Sequence, residues 1–227
     1  MKRSEINDLI RQAVAFFAEH KFHLPPFAFW TPDDWKTRGH ECDEIRQNQL
    51  GWDLTDFGSG DFYNIGLLLF TLRNGNLSDP AQSKVYAEKI MVVRPGQVTP
   101  MHCHWSKTED IINRGGSTLV MEVHQADPHD DLALCDAPVD LSMDGVRQTF
   151  PAGTHIRLAP GQSITLPSRV YHSFRAEGGQ CLTGEVSMVN DDASDNCFLE
   201  GVGRFPDIEE DEPPMHYLCT EYPAVKP

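Results

Sequence analysis

An all-β fold is predicted for this chain: a single antiparallel β-barrel or sandwich, preceded by an N-terminal helix and a wrapping arm. Three observations carry that prediction. From residue 64 onward the sequence breaks into short runs rich in Val, Ile, Leu and Thr, divided by Gly, Pro and Asn. No helical period separates these runs, which excludes the strand–helix alternation of a parallel sheet. The length of 227 residues, with 40% hydrophobic content, is enough for one domain with a substantial core.

Each element follows from its local pattern. Ser4 opens a helix, because apolar residues recur at 6, 9, 10, 13, 14, 16 and 17 until Pro25-Pro26 stops it. Residues 25–62 mix aromatic and polar groups (FAFWTPDDW, LGWDLTDFGSGDF) without a clean period, and read as an arm that wraps the core. The β-like runs are NIGLLLFTLR, KVYAEKIMVVRPG, STLVMEVHQ, GTHIRLAPGQSITLPSRVYHSF and CLTGEVSMVN. The proline-bearing ending DEPPMHYLCTEYPAVKP is expected to lie extended on the surface. One structural domain results, in three parts: 1–63 helix and arm, 64–205 barrel, 206–227 tail.

The formal net charge of −15 excludes nucleic acid as a partner, since phosphates would be repelled. The acidic runs DPHDD at 127–131 and DIEEDE at 207–212 read as solvated loops. No apolar run approaches the roughly 20 residues of a membrane span, and MKRSEINDLI has no signal-peptide core. The cytoplasm is the expected compartment. Six scattered cysteines with no C-x-x-C pair read as reduced thiols.

The chemistry concentrates in GQVTPMHCHWSKTEDIINRGG, residues 96–116. Strand residues two apart face the same way, so His102 and His104 can take adjacent positions on one ion. After a turn, Glu109 can point back into the same space, and Lys107 shares its parity. Imidazole plus carboxylate without thiolate leans away from a structural zinc. In GQSITLPSRVYHSF a third histidine, His172, comes from a distant part of the chain.

The first stretch resembles the first cupin motif, G-x5-H-x-H-x4-E-x6-G, at Gly96, His102, His104, Glu109 and Gly116. The second is similar to the second cupin motif, G-x5-P-x-G-x2-H-x3-N, at Gly161, Pro167 and His172. Arg169 replaces its glycine and Ala176 its asparagine, so the turn at Arg169 is expected to differ. More narrowly, HCHWSKTEDIINRGG, the ending GEVSMVNDDASDN and the aromatic arm resemble the D-lyxose isomerase family of cupins. The resemblance implies a cupin-type, jelly-roll-like barrel and a homodimer. It implies a metal-dependent aldose–ketose isomerase acting on a monosaccharide, D-lyxose to D-xylulose, with D-mannose and D-fructose as a further pair. Manganese is the implied divalent metal, with His102, His104, Glu109 and His172 as its ligands.

Isomerisation needs a base at the carbon beside the carbonyl and a group that serves the oxygens. Glu185 is the first candidate, since it lies in a β-run with apolar neighbours at 182, 186 and 188. Lys107 is the second, provided that its surroundings lower its pKa; Lys89 is an alternative cation. Cys103, between two inward histidines, is expected to face away. His124 and His155 read as partnered barrel residues, and His20, His23, His40, His129 and His216 have no companion ligands nearby. Asp191, Asp192, Asp195 and Asn196 can bind sugar hydroxyls or their own backbone, and Trp52 and Phe62 can wall a sugar or pack the core. An iron-dependent cupin dioxygenase and a non-catalytic sugar-binding cupin are the competing readings.

Overall fold

The computed structural model describes residues 1–79, 83–130, 132–192, 194–203 and 207–225. Its first element, α1 (Arg3–Glu19), turns Ile6, Leu9, Ile10, Ala13 and Phe17 inward. The arm that follows carries short helical turns at Pro26–Phe29, Pro32–Trp35, His40–Cys42 and Asp43–Gln47. It also holds a strand that its sequence hides, β1 (Gly51–Thr55).

Eleven further strands follow among the described residues: β2 (Leu67–Arg73), β3 (Tyr86–Val93), β4 (Thr99–His104), β5 (Glu109–Ala126), β6 (Leu134–Cys135) and β7 (Val139–Met143). Then come β8 (Val146–Phe150), β9 (Thr154–Leu158), β10 (Ser163–Leu166), β11 (Val170–Met188) and β12 (Asn196–Phe198). All pair antiparallel, so the all-β prediction holds.

The two longest strands, β5 and β11, pair along most of their length and each serves two layers. The second half of β11 and the first half of β5 lie within the order β1-β2-β3-β11-β5-β10-β7-β8. Their other halves pair with β4 and β9, and β12 extends that layer from β4. The fold-over falls at register shifts after Glu177 and Leu182. There Gly116 and Gly178 take φ +81° and +87°, in the left-handed region that suits glycine.

Two cores result. The inner one gathers Met91, Ile111, Leu119, Met121, Ile156, Leu166 and Phe174 from both layers. The outer one seals α1 against the back of β1, β2 and β3 through Phe17, Trp52, Leu54, Phe70 and Val92. Strand β2 is therefore buried on both faces, which explains its continuous apolar run LLLF. Each large side chain so buried contributes about 2 kcal/mol. The expected barrel boundary at 205/206 lies outside the described residues.

The acidic run at 207–212 is not merely a solvated loop. The Ser4 backbone N–H donates to Asp211 (2.9 Å), and that of Arg3 to the Glu209 carbonyl (2.9 Å). Carboxylates thus sit at the helix end whose N–H groups lack partners, where the dipole favours negative charge. Asn7 donates to Glu212 at 2.6 Å. The buried Arg3 guanidinium meets Glu210 at 2.6 Å and also engages Glu221.

Arg3→Leu is expected to lower the unfolding free energy by about 2 kcal/mol, the range of charge-assisted hydrogen bonds. Glu210→Gln should cost less than about 1 kcal/mol, because Glu210 is 55% exposed. Urea unfolding with an unchanged slope measures both, and equal effects would contradict this assignment.

Candidate metal centre and active site

Strand alternation in β4 turns His102 and His104 to one side, and β11 pairs His172 directly against His102. Ring nitrogens of the three buried imidazoles lie within 4.8 Å of one another. Glu109, the first residue of β5, brings Oε1 to 3.1 Å from His172 Nε2 and 3.4 Å from His104 Nε2. His102 Nδ1 lies 2.7 Å from the Pro100 carbonyl, and His172 Nδ1 lies 3.1 Å from that of Val170. A carbonyl only accepts, so both Nδ1 atoms carry hydrogen and the neutral ring keeps its lone pair on Nε2.

The donor set fits a divalent metal. With its hydrogen on Nδ1, His172 Nε2 cannot donate to Glu109 Oε1 3.1 Å away, so this buried nitrogen makes no hydrogen bond and, like the carboxylate oxygen, offers a lone pair to an ion. Burial, followed by the neighbouring His172 and His104, pushes the His102 pKa well below its ordinary 6.5. Burial alone would raise the pKa of Glu109. Lys107 and His104 outweigh it and hold the carboxyl well below the usual range.

A second group adjoins the first. Lys107 lies in the turn after β4, beyond the reach of strand parity, and Asp195 fixes that turn. The Asp195 carboxylate accepts from Ser106 N–H (2.8 Å), Ser106 Oγ (2.6 Å) and Lys107 N–H (3.2 Å). Lys107 Nζ then stands 3.0 Å from both Glu109 Oε2 and Glu185 Oε1. Strand β11 sets Glu185 opposite Lys89 of β3, whose Nζ is 3.4 Å from Glu185 Oε2. Ser187 Oγ donates to Glu185 at 2.9 Å.

The lowered pKa expected as the condition for proton shuttling by Lys107 is not met among these groups. Burial does act in that direction, yet Glu109, Glu185 and Asp192 prevail and raise it, so the ammonium stays protonated. Burial pushes Glu185 up, but Lys107 and then Lys89 bring it below its ordinary value, so it stays a carboxylate.

These groups line a cavity of about 380 Å³, with Asp53, Thr55, Phe57, Phe174, Asp192, Asn196 and Phe198 on other walls. Its size suits a small polar ligand. Asp53 and Thr55 escaped the sequence reading because β1 lies in an aperiodic arm; Asn190, beside both lysines, had only its place at the end of a β-run as a signal. Trp52 and Phe62 pack the outer core instead of walling the cavity. Cys103 packs with Tyr171 and Cys197, away from the imidazoles, and burial pushes its thiol up to about 12.

His124 and His155 both contact Glu122, at 2.9 and 3.2 Å. His20 packs edge-on against Phe16, His40 meets Asp43, and His216 meets the Trp30 carbonyl. Asp191 bonds Ser194, whereas Asp192 and Asn196 reach the cavity. The turn at residue 169 does not abandon a glycine-type conformation: Arg169 itself takes φ +64°. Its N–H donates to the His104 carbonyl at 2.8 Å.

Solved structures share this architecture. The L-ribose isomerase of Cellulomonas parahominis with L-ribose aligns with a TM-score of 0.60 at 16% identity, over 92% of this chain and 98% of that one. That of Geodermatophilus obscurus aligns at 0.61 and 16% identity, over the same shares of the two chains. In sequence, the D-lyxose/D-mannose isomerase of Serratia proteamaculans is 51% identical over 225 residues, 98% of each chain. That of Escherichia coli O157:H7 is 50% identical over the same shares. The family model described as D-lyxose isomerase matches residues 1–222. With that match spanning the helix, the barrel and nearly all of the tail, the chain belongs to the D-lyxose isomerase family.

Proposed function

We propose that the protein interconverts D-lyxose with D-xylulose, and D-mannose with D-fructose, by proton transfer between neighbouring carbons. The carrying observation is Lys107, whose ammonium joins Glu185 to the Glu109 carboxylate beside three converging imidazoles. His102, His104, His172 and Glu109 would hold the metal. When bound, it supplies Lewis-acid stabilisation of negative charge on adjacent sugar oxygens.

Glu185, kept as a carboxylate, takes the proton from C2 of the aldose while the C2–H electron pair forms the C1–C2 double bond. The former carbonyl π pair moves onto O1, and Lys107, kept protonated, donates to that oxygen. The C1–C2 double-bond pair then takes the proton back from Glu185 at C1, while the O2 proton passes to Lys107 in place of the one given to O1 and its bonding pair forms the C2 carbonyl, which completes the ketose. The buried walls exclude water from the enediol.

Manganese is the proposed metal, and the three-imidazole, one-carboxylate set without thiolate supports a divalent first-row ion of its class. A homodimer is proposed from the exposed apolar residues Tyr86, Val186 and Met188 on neighbouring strands β3 and β11. A cytoplasmic setting is supported by six cysteines that form no disulfide among the described residues. No helix among the described residues is long and apolar enough to cross a membrane.

Chelator should abolish turnover and manganese should restore it, with solvent deuterium entering the sugar during reaction in deuterated water. Metal-replete protein that leaves D-lyxose and D-mannose unchanged would overturn the reading, and oxygen uptake would favour a dioxygenase. Glu185→Gln should lower kcat about 1,000-fold while metal binding persists.

The protonation states set a pH window for the metal-free protein. His102 takes up a proton on unfolding below its ordinary 6.5, so its stabilisation is full above that value and declines beneath it. Glu109 and Glu185 add a second loss below 4.5. Thermal midpoints that stay flat between about pH 7 and about pH 5 would contradict the state assigned to His102.

A further inference from the structure

The lysines that flank Glu185 share one neutral acceptor. Asn190 Oδ1 accepts from Lys89 Nζ at 2.6 Å and from Lys107 Nζ at 3.2 Å. We propose that Asn190 is a positioning residue for proton transfer, its side-chain oxygen holding one ammonium on each oxygen of Glu185. The inference rests on the reading of Glu185 and Lys107 as the acid–base pair.

Three observations carry it. Lys107 is assigned to Glu185 Oε1 and Lys89 to Oε2, so the two cations occupy different edges of one carboxylate. Lys89 is the looser, at 3.4 Å from Glu185 and 3.9 Å from Asp192; its contact with Asn190 is its shortest among these. Without that contact Lys89 is free to close on Glu185 and draw away the electron pair the base must use. The Asn190 oxygen has two lone pairs and so gives each of the two cations an acceptor.

The amide is also firmly mounted. Asn74 spans the residue-190 peptide, its Oδ1 accepting from Asn190 N–H (2.9 Å) and its Nδ2 donating to the Asn190 carbonyl (2.9 Å). Asn48 Nδ2 in turn donates to the Asn74 carbonyl at 2.9 Å. The arm, the segment after β2 and the end of β11 thus meet at Asn190. These anchors use its backbone, so replacing the side chain leaves them in place.

The test compares manganese-loaded Asn190→Ala, Asn190→Asp, Lys89→Met and the double Lys89→Met/Asn190→Ala, with Glu185→Gln as reference. Asn190→Ala should lower kcat about 100-fold with KM, manganese content and thermal midpoint held, because the defect is one of placement. Asn190→Asp keeps the acceptor oxygen and should recover most of that loss. In the double variant the two losses should combine to less than their product. The proposal is overturned if Asp fails as badly as Ala, if the losses multiply in full, or if Asn190→Ala turns over normally while Glu185→Gln does not. An active Glu185→Gln would overturn the acid–base reading itself. Should Asn190→Ala not fold, Asn190→Leu, which also lacks an acceptor, takes its place with the same expectations.

Discussion

The site depends on the register of one strand. Strand β11 carries His172 near its start and Glu185 near its end, and pairs with β3, β4 and β5. At about 3.3 Å per residue, a flat strand would hold these two side chains roughly 40 Å apart. Both line one cavity because β11 folds over between them, where its register against β5 shifts. A slip by one residue would turn both side chains to the opposite face. The bulge and the glycines at the fold-over therefore matter to chemistry as much as to shape.

Around that frame, charge is buried in compensated groups. Lys107 alone in the core would be expensive, as would Glu109 or Glu185. Together each neutralises part of another's field, and burial and pairing oppose one another at Lys107, Glu109 and Glu185. The arrangement keeps a carboxylate and an ammonium side by side in their charged forms without water between them. Stability alone gives weak reason for such a cluster, since well-packed apolar side chains do as well.

What the sequence made legible was whatever local geometry determines. His102 and His104 are visible because strand parity is strict, and α1 because its apolar residues recur at helical spacing. Lys107 was picked out through parity, but the strand ends before it and the Asp195 clamp accounts for its position. Asn190 and Asn74 meet only after the chain folds, so no spacing announces them. Arg169 takes a left-handed conformation that its side chain gives no reason to expect. The hairpin of β7 and β8 had a usable signal in Asp144-Gly145, whose φ values of +50° and +81° suit a two-residue hairpin turn.

The grip of residues 209–221 on the first helix has a consequence for how the molecule is made. Ribosomes release the chain from its N-terminus, so α1 emerges long before the carboxylates that complete it. Until Glu210 and Glu221 emerge, Arg3 has no partner for burial, and the first turn of α1 lacks the Asp211 and Glu209 acceptors it will use. The helix can cover the outer face of the sheet in the interim, but its final seating waits for residues 209–221. Closing a loop of more than two hundred residues makes that step one of high contact order, and it ties the quality of this helix to the arrival of residues 209–221.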